Sequence, residues 1–390
     1  MKKTLAILLS LVMVVALAAC GTASTPSAET TAAVQATTTA APTAAAETSA
    51  ATDGAPVILS KGPNGEAAVS ATTLGLTPDE IAKVKAGNYT AAIVFHYGGN
   101  DWSTSQLQGL TDTFNSLGIK IVATTDANFS AEQQVSDIET VMALNPDIIV
   151  SIPTDPIATA DAYQRAADKG IKLVFMDNVP QGFTAGKNYV SCVSADNYGN
   201  GIVAADLIGE ALGGQGKVGI VHFDVDFFVT NQRLEAFEKT MSEKYPNIQI
   251  VSKMGFKDPN ATSEVADAML TQNPDIQAIF AHWDVPAEGV LSSLRAAGRT
   301  DVKLSTIDLG NNVAKEIAEG NILGLGAQLP YDQGVAEATL GAYALLGKDA
   351  PAYVAVPALR VDQNNILEAY KQVYHVDAPD WLVEAAKSKK

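Results

Sequence analysis

From Tyr89 onward, short β-branched runs alternate with longer amphipathic segments, and this alternation leaves few folds open. The runs are "TAAIVFHY", "IKIVATT", "DIIVSIP", "IKLVFMD", "NYVSCVS", "KVGIVHF", "IQIVSKM", "IQAIFAH", "VKLSTID" and "ILGLGAQ". Near-continuous apolar runs of this length mark strands buried on both faces of a parallel sheet. Helical stretches such as "TSQLQGLTDTFNSLG" and "AEQQVSDIETVMALNPD" separate most of them. Parallel strands need such crossovers, and the crossovers are right-handed. The pattern predicts an α/β protein with two doubly wound parallel-sheet lobes, five or six strands each.

The alternation does not reach the start of the chain. Lys2 and Lys3 precede an apolar run from Thr4 to about Leu17. Its length suits the roughly 7–15-residue h-region of an export signal and falls short of the about 20 residues of a spanning helix. The run ends at "LAAC", Leu17 to Cys20, with Gly21 next, which resembles a bacterial lipobox. That resemblance implies cleavage before Cys20 and lipid on its sulfur and amino group. Residues 1–19 are therefore expected to be a signal peptide. Residues 20–55 are mostly Ala, Thr and Ser, with little to bury, and are expected to be a disordered tether on the lipid. Residues 56–87, which include "TPDEIAKVKAG", are expected to be a lead-in segment with one capped helix. The only other cysteine is Cys192, in an apolar run, and it is expected to be buried. With Cys20 acylated no intramolecular disulfide can form, so packing must hold the fold.

The formal net charge is −17, which argues against nucleic acid as a partner. In open parallel sheets, ligands bind beyond the carboxyl ends of the strands. The residues there include Asn100, Asp101, Trp102, Asp177, Asn178, Trp283, Asp284, Asp308 and Gln328. Asp, Asn and Thr at such places also cap helices. The set as a whole, with Trp102 and Trp283 in opposite halves of the chain, suits a polar solute. Carboxylates and amides chelate vicinal hydroxyls, and aromatic faces cover C–H surfaces. "GQGKVG" at 214–219 follows a helix and leads into a strand, the reverse of a dinucleotide site. His96, His222 and His282 lack metal-ligand spacing, and no catalytic constellation stands out. The chain is expected to be no enzyme and to need no cofactor or metal.

At these residues the sequence resembles the periplasmic-binding-protein type I family, in its ribose-like branch of sugar-binding proteins. The resemblance is carried by "NPDIIVSIPTDPIATADAYQRAADKGIKLVFMDN", "VSADNYGNGIVAADLI", "NPDIQAIFAHWD", "LSTIDLGN" and "GLGAQLPYDQG". It implies two lobes joined by three crossings, near Ala195-Asp196, Gln328-Leu329 and Val356 to Leu359. The expected lobes are 88–195 plus 329–357 and 196–328 plus 358–390. The ligand positions implied are Asn100, Asp101, Trp102, Asp177, Asn178, Asn231, Phe256, Trp283, Asp284, Asp308 and Gln328. Two arginines of the family pattern are matched by Asn178 and Asn231. The next arginine, Arg233, is assigned a structural role. Fewer arginines imply a neutral ligand. The expectation is a monomeric lipoprotein on the outer face of the cell membrane that passes a small sugar or polyol to an ABC permease. A receptor for a nucleoside or signalling molecule, and a sensory subunit serving a membrane kinase, are the alternatives.

Overall fold

The structure is a computed structural model, and it describes residues 57–387. The expected signal peptide, Cys20 and the tether lie outside the described residues. Thirteen strands are present among the described residues: β1 (Val69–Ser70), β2 (Thr90–Phe95), β3 (Lys120–Asp126), β4 (Ile148–Ser151), β5 (Lys172–Met176), β6 (Ser191–Ala195), β7 (Gln215–Phe223), β8 (Asn247–Phe256), β9 (Ala278–Ala281), β10 (Lys303–Ile307), β11 (Gly324–Ala327), β12 (Tyr353–Val356) and β13 (Leu359–Asp362). They form two sheets. The first has the order β1-β12-β6-β5-β4-β2-β3 and is parallel throughout. The second has the order β13-β11-β10-β9-β7-β8, with only β13 antiparallel. The fold is α/β with two doubly wound lobes. All ten apolar runs of the sequence are strands, β2 to β11.

The second sheet holds six strands, as expected, with β13 completing its edge, and the first holds seven, one more than expected, because the short strands β12 and β1 extend it beyond β6. β1 belongs to the segment read as a lead-in and pairs with β12, so that segment is built into the first sheet. Its helix, Pro78–Ala86, opens with a capping box between Thr77 and Glu80. The chain leaves the first sheet after β6, returns after β11 and leaves again between β12 and β13.

Helices cover both faces of each sheet, and glycines set how closely two pairs approach. Helices Asp101–Ser116 and Pro330–Leu346 pack on the first sheet. A Cβ at Gly109 would stand 2.1 Å from the Tyr331 carbonyl, and one at Gly334 2.3 Å from the Gln106 carbonyl. The two backbones touch there, which fixes the start of the first helix and the residues Asn100 to Trp102 on it. In the second lobe a Cβ at Gly201 would stand 2.4 Å from the Arg233 carbonyl. That contact seats helix Phe228–Lys244 on helix Asn197–Ala211 and so places Arg233. Fully buried Ile93, Ile148, Phe175, Phe237 and Phe280 fill the interiors, with Phe237 stacked on Phe280 at 4.4 Å.

Candidate functional site

The carboxyl ends of both sheets face one cavity of about 540 Å³, its mouth included. The first lobe lines it with His96, Tyr97, Asn100, Trp102, Phe129, Ile152 and Asp177. From the second lobe come Phe223, Phe227, Val229, Thr230, Arg233, Trp283, Asp284, Asp308 and Gln328.

Three buried carboxylates and one guanidinium set its electrostatics. Asp177 follows β5 and Asp308 follows β10, both with left-handed φ, 54° and 70°. Asp tolerates this conformation better than most residues, yet it is strained, and such strain collects at functional sites. Asp177 Oδ1 accepts from Ser194 Oγ at 2.6 Å. Burial pushes the Asp177 carboxyl up to about 6, against the pull of Ser194 and Arg233. Asp308 accepts from Gln328 Nε2 at 2.7 Å and lies 3.6 Å from the Arg233 guanidinium. Arg233 also donates to Asn197 Oδ1 at 2.8 Å and the His282 carbonyl at 3.2 Å. Asp284 starts helix Asp284–Ala296, and burial followed by the nearby Asp308 raises its carboxyl well above the usual range. Burial lowers His96 to about 3, so its ring is neutral.

Seven of the sixteen lining residues carry aromatic rings, enough to cover a flat apolar face from more than one side. His96 stacks on Phe227 across the lobes at 5.6 Å. Trp283 is wedged against Phe223 at 5.4 Å and Phe256 at 5.2 Å. Three buried polar atoms of lining residues have no partner within the protein: His96 Nδ1, Trp102 Nε1 and Gln328 Oε1. Buried polar groups are normally satisfied, so these are the atoms a ligand would satisfy.

Of the residues singled out from the sequence, Asn100, Trp102, Asp177, Trp283, Asp284, Asp308 and Gln328 line the cavity. Four do not. Asp101 spends both carboxylate oxygens on Asn311 of the opposite lobe. Asn178 is buried, and its amide donates to the Pro153 carbonyl at 3.3 Å. Asn231 is exposed and bonds Asp226 at 2.8 Å. Phe256 is buried behind Trp283 and Phe223. Arg233, read as structural, lines the cavity while also bracing it. Tyr97, Phe129, Phe223, Phe227 and Thr230 were not assigned to the site from sequence. The aromatics of "HYGGNDW" and "HFDVDFF", at the carboxyl ends of β2 and β7, were the available signal. Cys192 is buried, and its thiol donates to the Asp177 carbonyl at 3.6 Å. Among the described residues no group of His, Cys, Asp and Glu is arranged to hold a metal ion.

The sequence profile of the periplasmic binding protein domain family matches residues 91–349. The chain belongs to this family. The periplasmic binding protein is 27% identical over 264 residues to the ribose import binding protein of Bacillus subtilis strain 168, covering 66% of this chain and 84% of that one. It is 24% identical over 328 residues to the xylitol-binding protein of Mycolicibacterium smegmatis, covering 82% and 91%. Among solved structures it is similar to an ABC transporter periplasmic solute-binding protein of Actinobacillus succinogenes 130z with bound D-allose. That likeness has a TM-score of 0.66 and 25% identity, over 71% of this chain and 99% of the other. Type I periplasmic binding proteins of this sugar-binding branch act outside the cytoplasm in transport rather than as enzymes. No helix among the described residues is long and apolar enough to cross a membrane.

Proposed function

We propose that this periplasmic binding protein captures a small neutral sugar or polyol between its two lobes and delivers it to an ABC importer. The observation that carries the reading is the convergence of polar groups from both lobes on one aromatic-walled cavity. Asp177 from the first lobe and Asp284, Asp308, Arg233 and Gln328 from the second surround it. A ligand bonded to both walls binds the closed form better than the open one, and that difference drives closure. The relatives named for ribose, xylitol and D-allose support the same ligand class. The site residues we assign are the seven that line the cavity from the sequence set, with Arg233 and His96 added.

A second reading, a nucleoside receptor, is favoured by the seven rings, which offer more stacking surface than a sugar needs. A thermal-shift screen against pentoses, hexoses, polyols and nucleosides separates the two. Ligand at 100 times its Kd adds about 2.7 kcal/mol of stability. Shifts confined to carbohydrates are expected. Shifts from nucleosides alone would move the assignment to the second reading.

We further propose that Cys20 carries the lipid that holds the protein at the outer face of the cell membrane. The motif Leu17 to Gly21 supports this. Two or more acyl chains anchor stably, at about 0.8 kcal/mol per buried CH2. Cys20→Ser is expected to abolish lipid incorporation and leave ligand binding intact. A variant that still incorporates labelled fatty acid would refute the lipobox.

A further inference from the structure

Asp101 stands between two residues that line the cavity, Asn100 and Trp102, yet lines none of it. Its carboxylate crosses from the first lobe to the second. Oδ2 accepts from the Asn311 backbone N–H at 2.7 Å, and Oδ1 accepts from the Asn311 side-chain amide at 2.8 Å. Asn311 begins helix Asn311–Ala318, and Asp101 begins helix Asp101–Ser116. One carboxylate therefore serves the positive ends of two helices, one from each lobe. Its bonds are charge-assisted, the stronger class of hydrogen bond.

The partner is held ready. The Tyr370 hydroxyl donates to Asn311 Oδ1 at 2.9 Å, which turns the Asn311 amide nitrogen toward Asp101. Gly310 leaves space for the Asp284 carboxylate first and for that of Asp101 beside it. A Cβ there would stand 2.2 Å from Asp284 Oδ2 and 3.3 Å from Asp101 Oδ2. The turn at 310–311 thus seats an acid of the cavity beside an acid of the opposite lobe.

We propose that Asp101 is a closure latch, a positioning residue that raises ligand affinity by holding the two lobes together and not by touching the ligand. The proposal rests on the reading that the lobes close on a sugar or polyol. The Asp101–Asn311 bonds span the lobes, and a latch requires that opening breaks them. Their free energy adds to the closed state whatever the ligand is. Every ligand that needs closure gains by the same factor. A residue touching the ligand would instead favour one stereochemistry over another.

The test compares full-length Asp101→Asn with the unchanged chain on D-ribose, D-allose and xylitol. We expect Kd to rise about tenfold for each that binds, by a common factor and through faster release. The melting temperature of the ligand-free protein should stay near its original value. Tyr370→Phe removes only the hydroxyl that orients Asn311 and should give a smaller, equally uniform loss. It keeps the test open if Asp101→Asn folds poorly. An unchanged Kd, or a loss confined to one ligand, overturns the latch. A second arm needs no ligand. Asp101→Cys with Asn311→Cys should be joined by a short thiol-bridging reagent, read as a linked peptide pair. Absence of that link removes the latch on its own. A link formed by a protein that binds none of the three solutes leaves the latch standing and counts against the sugar reading.

Discussion

The two walls of the cavity hold their polar groups in different ways. In the second lobe they brace one another. Gln328 bonds Asp308, and Arg233 bonds Asn197 and the His282 carbonyl and faces Asp308. In the first lobe Asp177 is held by Ser194. The difference teaches which wall is pre-organised. The second lobe presents a mutually supported surface on which Gln328 Oε1 is left for a ligand. On the first lobe Asp177 stands with one short brace, and ligand must supply what is missing.

The largest expected effect comes from breaking the braced wall. Arg233→Ala would leave Asp308 buried beside Asp284 without its cation, and would orphan Asn197 Oδ1. Removing one partner of a buried pair typically costs about 3–5 kcal/mol of stability. Calorimetric unfolding of the ligand-free protein should show that loss, together with abolished binding. A fold of unchanged stability would mean that the second wall is no more braced than the first.

Asp177→Asn should act on binding and spare the fold. We expect Kd to rise at least about tenfold, roughly 1.4 kcal/mol. The pH dependence has a definite sign. Burial raises the folded carboxyl to about 6, against Ser194 and Arg233 and with Asp308 on the same side. The folded state then binds the proton more tightly than the unfolded chain. This group contributes stability that is full below its unfolded value of about 4 and is lost as pH rises through about 6. Asp177→Asn should flatten that slope in melting temperatures taken between about pH 4 and about pH 7. A slope that survives the substitution would assign it to another buried acid whose carboxyl is raised, Asp284, Asp308 or Glu337.

The tryptophans extend the comparison to the apolar part of the site. Trp283 packs on two phenylalanines of its own lobe, whereas Trp102 meets the edge of His96 at 6.2 Å. Aromatic pairs contribute about 0.5–1.5 kcal/mol beyond their burial. Trp283→Ala should therefore lower both ligand-free stability and affinity. Trp102→Ala should lower affinity with a smaller change in stability. Equal losses in melting temperature would erase the distinction between the walls.

Sequence carried far because parallel strands buried on both faces leave long apolar runs. "DIIVSIP" and "IKLVFMD" announce β4 and β5, and the second ends on Asp177. β12 and β13 were less legible. "YVAV" and "LRVD" are four residues each and flank the last crossing between the sheets. The cavity ends of strands were equally legible, which is why Asp177, Asp308 and Gln328 stood out. Helical phase was the harder matter. Asn231 and Arg233 are two residues apart on helix Phe228–Lys244, hence about 200° apart around it. One faces solvent and the other the cavity, and a motif alignment carries no information about that rotation. Rings such as Phe223 and Phe227 were hidden for another reason. An aromatic near a strand end serves the core as readily as a ligand wall, and only the packed structure separates the two.

The smallest effect is expected at Asn231, where the sequence pattern and the packing part company. The sequence resemblance implies a ligand position there. In this chain the side chain is exposed and its amide donates to Asp226, away from the lining. Loss of an exposed side-chain bond usually changes stability by no more than about 0.5 kcal/mol. Asn231→Ala should leave both Kd and melting temperature near their original values. If Kd instead rises severalfold, the loop at 224–227 closes over the ligand further than this structure has it, and Asn231 with Asp226 belongs to the second wall after all. Asn231→Arg sharpens the same point. A restored arginine that reaches the cavity would add a cation beside Asp284 and Asp308 and should tighten anionic sugars. One that stays in solvent should do nothing.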